Sequence, residues 1–272
     1  MKNVVTNVVI YINSANTAAA AAAVGFAEKI KSPSLNIVSG DDISSLPLDK
    51  NTSLVVVFGG DGTVLGAVSR TAPLRIPMLS INFGAVGFLA GAEPDSAVSV
   101  FYSFLRGECS FDDRALLDVS LDGKSHIALN DFVLRCGANT RPVPVEVLLN
   151  GSVLYKYTAD GIIAATPTGS TAYSLSAGGP VLSPDVPAFV VCPICAHALS
   201  SRPVVVSQDS VLEIRAAVSA RPVQFAVDGR PVGGLSGATA VIKKSEYVQR
   251  FVVSEGRGFY EKLLRKLKTG KD

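Results

Sequence analysis

Asp61 stands inside Gly59-Gly60-Asp61-Gly62-Thr63, directly after the apolar run Leu54-Val55-Val56-Val57-Phe58. Glycines so closely spaced admit backbone angles closed to other residues and let another molecule approach the main chain. Val64-Leu65-Gly66-Ala67-Val68 then reads as the start of a helix whose first amides face the turn, where partial positive charge suits a phosphate. A carboxylate aimed at phosphates is repulsive unless it holds a metal ion or takes a proton from an attacking hydroxyl. The pattern therefore points to phosphoryl transfer. The same residues are also ordinary strand-to-helix turn chemistry, and taken alone they support both readings. Two other phosphate signatures are missing. There is no Gly-x4-Gly-Lys-Ser/Thr run, and Leu65 occupies the place of the third glycine of Gly-x-Gly-x-x-Gly, with only Asn82 and Glu93 near the position of a ribose-binding acid.

The second informative stretch is Asp160–Ser174. An apolar strand there ends in a run with five hydroxyl side chains between Thr168 and Ser174. Hydroxyls both donate and accept, which suits a base edge, a ribose or phosphate oxygens, although such runs also serve caps and turns. Ser170 is a poor hydrolytic nucleophile, because Gly-x-Ser-x-Gly is not satisfied and His126 and His197 are the only histidines available as a base. Acid–base work thus falls to carboxylates. The four cysteines make no disulfide framework, and Cys192-Pro193-Ile194-Cys195, in an apolar run, reads as buried structural thiols rather than a metal or redox site.

These residues need elements to position them. A chain of 272 residues with 48% hydrophobic and 18% charged side chains is globular and long enough for two domains. A net charge of +2 gives no global electrostatic case for nucleic acid or membrane, and no targeting or membrane-spanning segment is evident. Strand and helix patterns alternate at first: strand 4–12, helix 15–31 starting near Asn13 or Ser14, a weak strand at 35–38, strand 54–58, helix 62–70 and strand 77–81. A helix at 94–106 follows, with Val98, Phe101, Tyr102 and Leu105 on one face. This alternation predicts a parallel sheet, whose ligands bind at the carboxyl ends of its strands. Asn82-Phe83-Gly84-Ala85-Val86-Gly87-Phe88-Leu89 leaves its strand in the same sense as Gly59–Thr63, so both loops open on one crevice. From about residue 111 short strands and turns take over: Leu116–Leu121, His126–Arg135, Pro144–Leu149, Val153–Tyr157 and Gly161–Ala165, with Asn150-Gly151 and Asp228-Gly229 as type I′ hairpin signals. The expected fold is an α/β N-terminal domain plus an all-β sandwich C-terminal domain, divided near Gly107-Glu108. A final amphipathic helix places Phe259, Leu263, Leu264 and Leu267 opposite a solvated basic face of Lys262, Arg265, Lys266 and Lys268.

Taken together, Gly59–Thr63, Asn82–Leu89, Leu129-Asn130-Asp131 and Thr166-Pro167-Thr168-Gly169-Ser170-Thr171-Ala172-Tyr173 resemble the NAD kinase family in order and spacing. Gly178-Gly179-Pro180 and Phe225–Gly229 are similar to further landmarks of that family. The resemblance implies an α/β domain over 1–107 completed by a returning helix at 256–269, a β-sandwich NAD-binding domain over 108–253, and an active site between them. It implies phosphoryl transfer from ATP or polyphosphate to the 2′-hydroxyl of the adenosine ribose of NAD, with Mg2+ or another divalent cation. Asp61 is then the general base or the carboxylate that orients the metal, with no further metal ligand assigned. Gly59, Gly60, Gly62 and Thr63 hold phosphates, and Asp61, Gly62 and Phe88 also touch NAD. Asn130 reads adenine and Asp131 the ribose; members often carry Glu there, one methylene longer. Thr168, Thr171, Ala172 and Tyr173 form the adenosine-binding run. Asp160 and Ser176 contact the nicotinamide end, with Asp160 able to serve a neighbouring subunit. A cytoplasmic homodimer or homotetramer, without nucleic-acid or membrane partners, is the implied setting. A lipid or sugar kinase sharing the Gly-Gly-Asp-Gly loop, and a dinucleotide sensor without turnover, are the alternatives.

Overall fold

The computed structural model describes residues 7–30, 36–83, 87–137, 141–196, 201–216, 222–233, 237–254 and 259–269. Residues 84–86 of the second glycine loop, His197 and the expected helix start at 256–258 lie outside them. The chain forms two compact units, Met1–Asp113 with Val248–Asp272 and Arg114–Tyr247. The sequence reading placed the division at Gly107-Glu108.

The first unit contains β1 (Asn7–Ile12), α1 (Thr17–Lys29), β2 (Asn36–Gly40), β3 (Thr52–Gly59), α2 (Asp61–Thr71), β4 (Met78–Asn82) and α3 (Ala97–Arg106). Its strands pair in parallel in the order β2-β1-β3-β4, as expected where helices return the chain between strands. Successive strand residues face opposite sides, so Leu54, Val56 and Phe58 enter a core with Val8, Ile10, Phe26 of α1 and Phe101 of α3. Phe26 meets Phe58 and Phe101 edge-on, with ring centroids 5.3 and 5.5 Å apart. Val55 and Val57 point to the other face, and α2 packs on β3 and β4.

Two helix starts differ from the sequence reading. Asn16, rather than Asn13 or Ser14, caps α1 by accepting the Ala19 amide at 3.1 Å, while Asn13 accepts the Ala15 amide in the preceding turn. Before α3, Pro94–Ser96 forms a 3-10 turn. The fully buried positions of α3 are Ala97, Val100 and Phe101, and Tyr102 is only half-buried. The helix ends at Gly107 in the left-handed region, φ 72°.

The second unit begins within β5 (Ser110–Leu121). It continues through β6 (Lys124–Ala128), β7 (Asp131–Cys136), β8 (Val143–Leu149), β9 (Ser152–Ala159), β10 (Gly161–Ala165), α4 (Tyr173–Ser176), β11 (Ala188–Ile194), β12 (Val204–Ser207), β13 (Leu212–Ala216), β14 (Val223–Val227) and β15 (Arg230–Gly233). It ends within β16 (Thr239–Val253). One antiparallel sheet runs β12-β11-β10-β7-β14-β15. Opposite it lie β16, β13, β8 and β9, also antiparallel, and the β5–β6 hairpin. Phe132, Phe189 and Phe225 from the first layer share a core with Val145, Val147, Ile214 and Ile242 from the second, which makes the unit a β-sandwich. Both forecast hairpins have positive φ at their two central residues, Asn150 (50°) with Gly151 (80°) and Asp228 (48°) with Gly229 (76°). Asp122-Gly123 is a third turn of this kind that the sequence reading passed over.

Three expectations need correction. The run His126–Arg135 is two strands, β6 and β7, because the chain turns out of the ladder at Leu129-Asn130. Cys192 is buried, whereas Cys195 is exposed at φ 46° just past the end of β11, so the pair does not share one environment; all four thiols are free. The C-terminal helix α5 (Phe259–Thr269) is not simply solvated on its basic side: Lys262 Nζ donates to the carbonyls of Ala90 (2.7 Å) and Phe88 (3.3 Å). Phe259 packs against Phe88 at 6.0 Å, while Leu264 is exposed rather than on the apolar side. No helix among the described residues is long and apolar enough to cross a membrane.

The returning chain is fixed to the first unit by the buried amide of Gln249. Thr71 Oγ1 lies 2.8 Å from its Oε1, and its Nε2 donates to Ile76 O at 3.2 Å and to Arg250 O at 3.1 Å. Gln249→Leu keeps the volume and leaves these carbonyls without a donor. Denaturant titration is expected to show a loss of about 2 kcal/mol, and an unchanged midpoint would contradict the assignment.

Candidate active site

In the first unit the strand ends converge by main-chain bonds. Asn13 N donates to Phe58 O at 2.9 Å and Phe83 N to Gly59 O at 3.2 Å, which holds the segments after β1, β3 and β4 side by side. A cleft of about 500 Å³ opens there, with Asn13, Ser14, Asp41, Gly60, Thr63 and Phe83 in its wall. It lies at the carboxyl ends of the parallel strands, where such sheets bind ligands. Gly60 caps α2 in extended conformation, so no capping side chain competes for the first amides of the helix. A β-carbon at Gly62 would meet nothing within 4 Å, and one at Gly60 only Phe83 O at 3.9 Å. What these glycines leave open is cleft. Gly59 is different: it is buried, and a β-carbon there would fall 2.4 Å from Thr63 Oγ1.

Asp61, the first residue of α2, accepts the amides of Phe88 (3.1 Å) and Leu89 (3.3 Å), one on each carboxylate oxygen. The second loop thus closes onto the first through this carboxylate. Gly87 makes the approach feasible, since a β-carbon there would sit 2.5 Å from Asp61 Oδ1. The same segment is held from its carbonyl side by Lys262 and by Ser80 Oγ, which donates to Leu89 O and accepts the Gly91 amide at 2.9 Å. Phe88 and Leu89 are buried.

In the second unit Leu129-Asn130-Asp131 meets the run after β10. Thr166 N donates to Asn130 O at 2.9 Å, and Thr166 Oγ1 to Leu129 O at 2.6 Å. A β-carbon at Gly169 would lie 2.0 Å from Asn130 O, so only glycine fits this contact. The Asp228-Gly229 hairpin closes the cluster: Asp228 accepts the amides of Leu129, Asn130 and Asp131 at 2.8, 2.7 and 3.1 Å. Asp131 is buried. Its carboxyl is pushed up to about 7, first by burial and then by the charge of Asp228. Burial likewise raises Asp228, against its amide bonds and the nearby Arg230.

The hydroxyl-rich run is mostly used internally. Ser170 is fully buried, donates to Pro167 O at 2.6 Å and accepts from Leu182 N at 2.9 Å, which leaves it no nucleophilic role. Thr171 Oγ1 bonds Thr168 O at 3.1 Å, and Thr168 Oγ1 accepts from the buried Arg114 at 3.1 Å. Ala172 is half-buried, while Tyr173 and Ser176 are exposed. Asn130, Asp131, Thr168, Thr171, Ala172 and Tyr173 therefore belong to one neighbourhood. Asp160 does not: β10 pairs Ala165 with Asp131 and Gly161 with Arg135, so Asp160 lies at the opposite strand end, roughly 20 Å from Thr166 at about 3.3 Å per residue. Sequence reasoning missed Arg114, the carbonyl-binding role of Lys262 and the amide-binding role of Asp228, whose signals were the Asp-Gly turn and its place in the Phe225–Gly229 landmark.

The raised Asp131 has a signed consequence. An unfolded aspartate titrates at about 3.9, so between that value and about 7 the native state holds a proton that the unfolded chain has released. The associated stability is complete below about pH 4 and is lost as pH rises through about 7. Urea midpoints measured at about pH 5 and about pH 8 are expected to fall more for the wild type than for Asp131→Asn; equal falls would contradict the burial argument.

Profiles for the ATP-NAD kinase N-terminal domain and the ATP-NAD kinase C-terminal domain match residues 12–109 and 129–254. An NAD kinase of Symbiobacterium thermophilum is 42% identical over 220 residues, covering 79% of this chain and 78% of that protein. An NAD kinase of Carboxydothermus hydrogenoformans is 37% identical over 243 residues, covering 85% and 87%. Among solved structures, yeast NADH kinase complexed with NADH matches with a TM-score of 0.88 at 27% identity, over 100% of this chain and 90% of that one. An NAD kinase from Archaeoglobus fulgidus in complex with ATP shares the fold, with a TM-score of 0.78 at 24% identity over 97% of this chain and 100% of that one. The chain belongs to the NAD kinase family.

Proposed function

We infer that this protein is an NAD kinase that phosphorylates the 2′-hydroxyl of the adenosine ribose of NAD, with ATP or polyphosphate as donor. The observation that carries the reading is Asp61, fixed on two backbone amides beside an open glycine turn, in a chain of this family. Its carboxylate has acceptor sites beyond the two that bind the amides, and one of them takes the proton of the attacking hydroxyl. Gly60, Gly62 and Thr63 border the cleft and bind the donor's phosphates through the start of α2, while Gly59 supports that turn from within. In a loose transition state, alignment and charge neutralisation outweigh base strength, so Asp61 orients as much as it deprotonates.

The dinucleotide is read by the second unit. Asn130 hydrogen-bonds adenine, Asp131 the ribose, and Thr168, Thr171, Ala172 and Tyr173 flank the adenosine, with the exposed Tyr173 ring available for stacking. Phe88 contributes an apolar wall. Ser176 and Asp160 meet the nicotinamide end, and the distance of Asp160 from Thr166 supports its service to a neighbouring copy in a homodimer or homotetramer. Among the described residues no three acidic, histidine or cysteine side chains gather as a metal-ligand set. Asp61 is the residue that would orient Mg2+ or another divalent cation brought in with the donor, and the ion would supply charge neutralisation there. The protein is assigned to the cytoplasm.

Asp61→Asn is expected to lower turnover by at least about 100-fold while NAD still binds, measured by NADP formation and by titration calorimetry. Wild-type turnover would remove Asp61 from the chemistry. Tyr173→Ala should weaken NAD binding roughly tenfold with a smaller effect on the rate at saturation, and an unchanged dissociation constant would contradict the stacking role. Phosphorylation of a lipid or sugar in place of NAD would favour the broader Gly-Gly-Asp-Gly kinases, and binding without turnover for any donor would favour a sensor.

A further inference from the structure

We propose that Asp228 is a positioning residue for the dinucleotide: its carboxylate fixes the backbone of Leu129–Asp131 and so sets where Asn130 and Asp131 present their side chains. The inference rests on the reading that those two residues bind NAD. Between the end of β6 at Ala128 and the start of β7 at Asp131 the chain leaves the strand ladder. The three amides at 129–131 are met instead by one carboxylate, Oδ2 on Leu129 and Oδ1 on Asn130 and Asp131. Buried amides left unpaired are costly, so the conformation of this tripeptide depends on that acceptor. Its carbonyls are engaged as well, by Thr166 Oγ1, Thr166 N and, for Asp131 O, Asp228 N at 2.9 Å. Among the described residues the Asn130 and Asp131 side chains have no hydrogen-bond partner, and they are left for a ligand.

A comparison inside the molecule isolates the reason for a carboxylate. Asn150-Gly151 and Asp228-Gly229 have nearly the same angles, φ 50° and 80° against 48° and 76°. Asparagine suits such a turn at least as well as aspartate. Asn150 Oδ1 accepts a single amide, that of Val211 at 2.8 Å. Three converging N–H groups exceed what an asparagine offers, because its NH2 would face a donor; a carboxylate is acceptor-only on both oxygens. The charged groups about Asp228 are Asp131 across the cluster and Arg230 in its own turn, with Arg114 behind Thr168.

Asp228→Asn retains the turn and removes this match. It is expected to raise KM for NAD at least about tenfold, with KM for the donor and kcat within about twofold, in a protein whose circular dichroism is that of the wild type. Gly169→Ala, which pushes on Asn130 O from the other side, should give the same split and serves if Asp228→Asn does not fold. Asn130→Ala and Asp131→Ala are measured in parallel. If they raise KM for NAD and neither Asp228→Asn nor Gly169→Ala separates the two KM values, the positioning role is wrong and the binding reading stands. If Asn130→Ala and Asp131→Ala leave KM for NAD unchanged, the binding reading fails and the proposal falls with it.

Discussion

The contact on which the first unit's site depends is the carboxylate of Asp61 seated on the amides of Phe88 and Leu89. It joins the turn after β3 to the segment Gly87–Leu89, beyond the main-chain bond from Phe83 N to Gly59 O. Gly87 permits the approach, and Ser80 and Lys262 hold the same segment by its carbonyls. A carboxylate on one side of a short run of peptide groups and an ammonium on the other polarise that run in one sense. The helix α5 is therefore part of the site's support, and the chain must return to the first unit for the loop to be complete.

The second unit uses the same device with a different carboxylate. Asp228 binds three consecutive amides where β6 gives way to β7, as Asp61 binds two. Irregular backbone near a ligand has donors that no sheet satisfies, and a buried acceptor-only group is the economical answer. The accompanying electrostatics are not neutral. Burial raises both carboxyl groups of the cluster, and the charge of Asp228 raises Asp131 further; Asp131 carries the larger consequence because it lacks the amide bonds that stabilise charge on Asp228.

Much of the fold was legible in the sequence because its signals are local. The alternation of periods along the first hundred residues, the valine run before Gly59 and the two Asx-Gly turns each specify an element without help from distant chain. The glycine loop and the Thr166–Tyr173 run stood out for similar reasons. What stayed hidden depends on partners far away in sequence. Leu129-Asn130 lies inside a run, His126–Arg135, that reads as one strand, and the carboxylate 98 residues later is what makes a break there stable. Lys262 looked like one charge on a solvated face because its carbonyl partners lie 172 and 174 residues earlier. Gly59 and Gly60 are adjacent and identical in type, yet one is packed against Thr63 and the other borders the cleft, a distinction only three-dimensional neighbours make. The hydroxyls of Ser170 and Thr171 were equally ambiguous until their backbone acceptors were known.

We propose that one reaction uses these two carboxylate-held clusters. Its most direct test is to mix the purified protein with NAD, ATP and magnesium and to follow the product by phosphorus NMR and by an NADP-specific dehydrogenase. The predicted result is a new 2′-phosphomonoester on the adenosine ribose, appearing in step with ADP. ATP consumption without that product, or no reaction with ATP or polyphosphate while NAD remains bound, would contradict it.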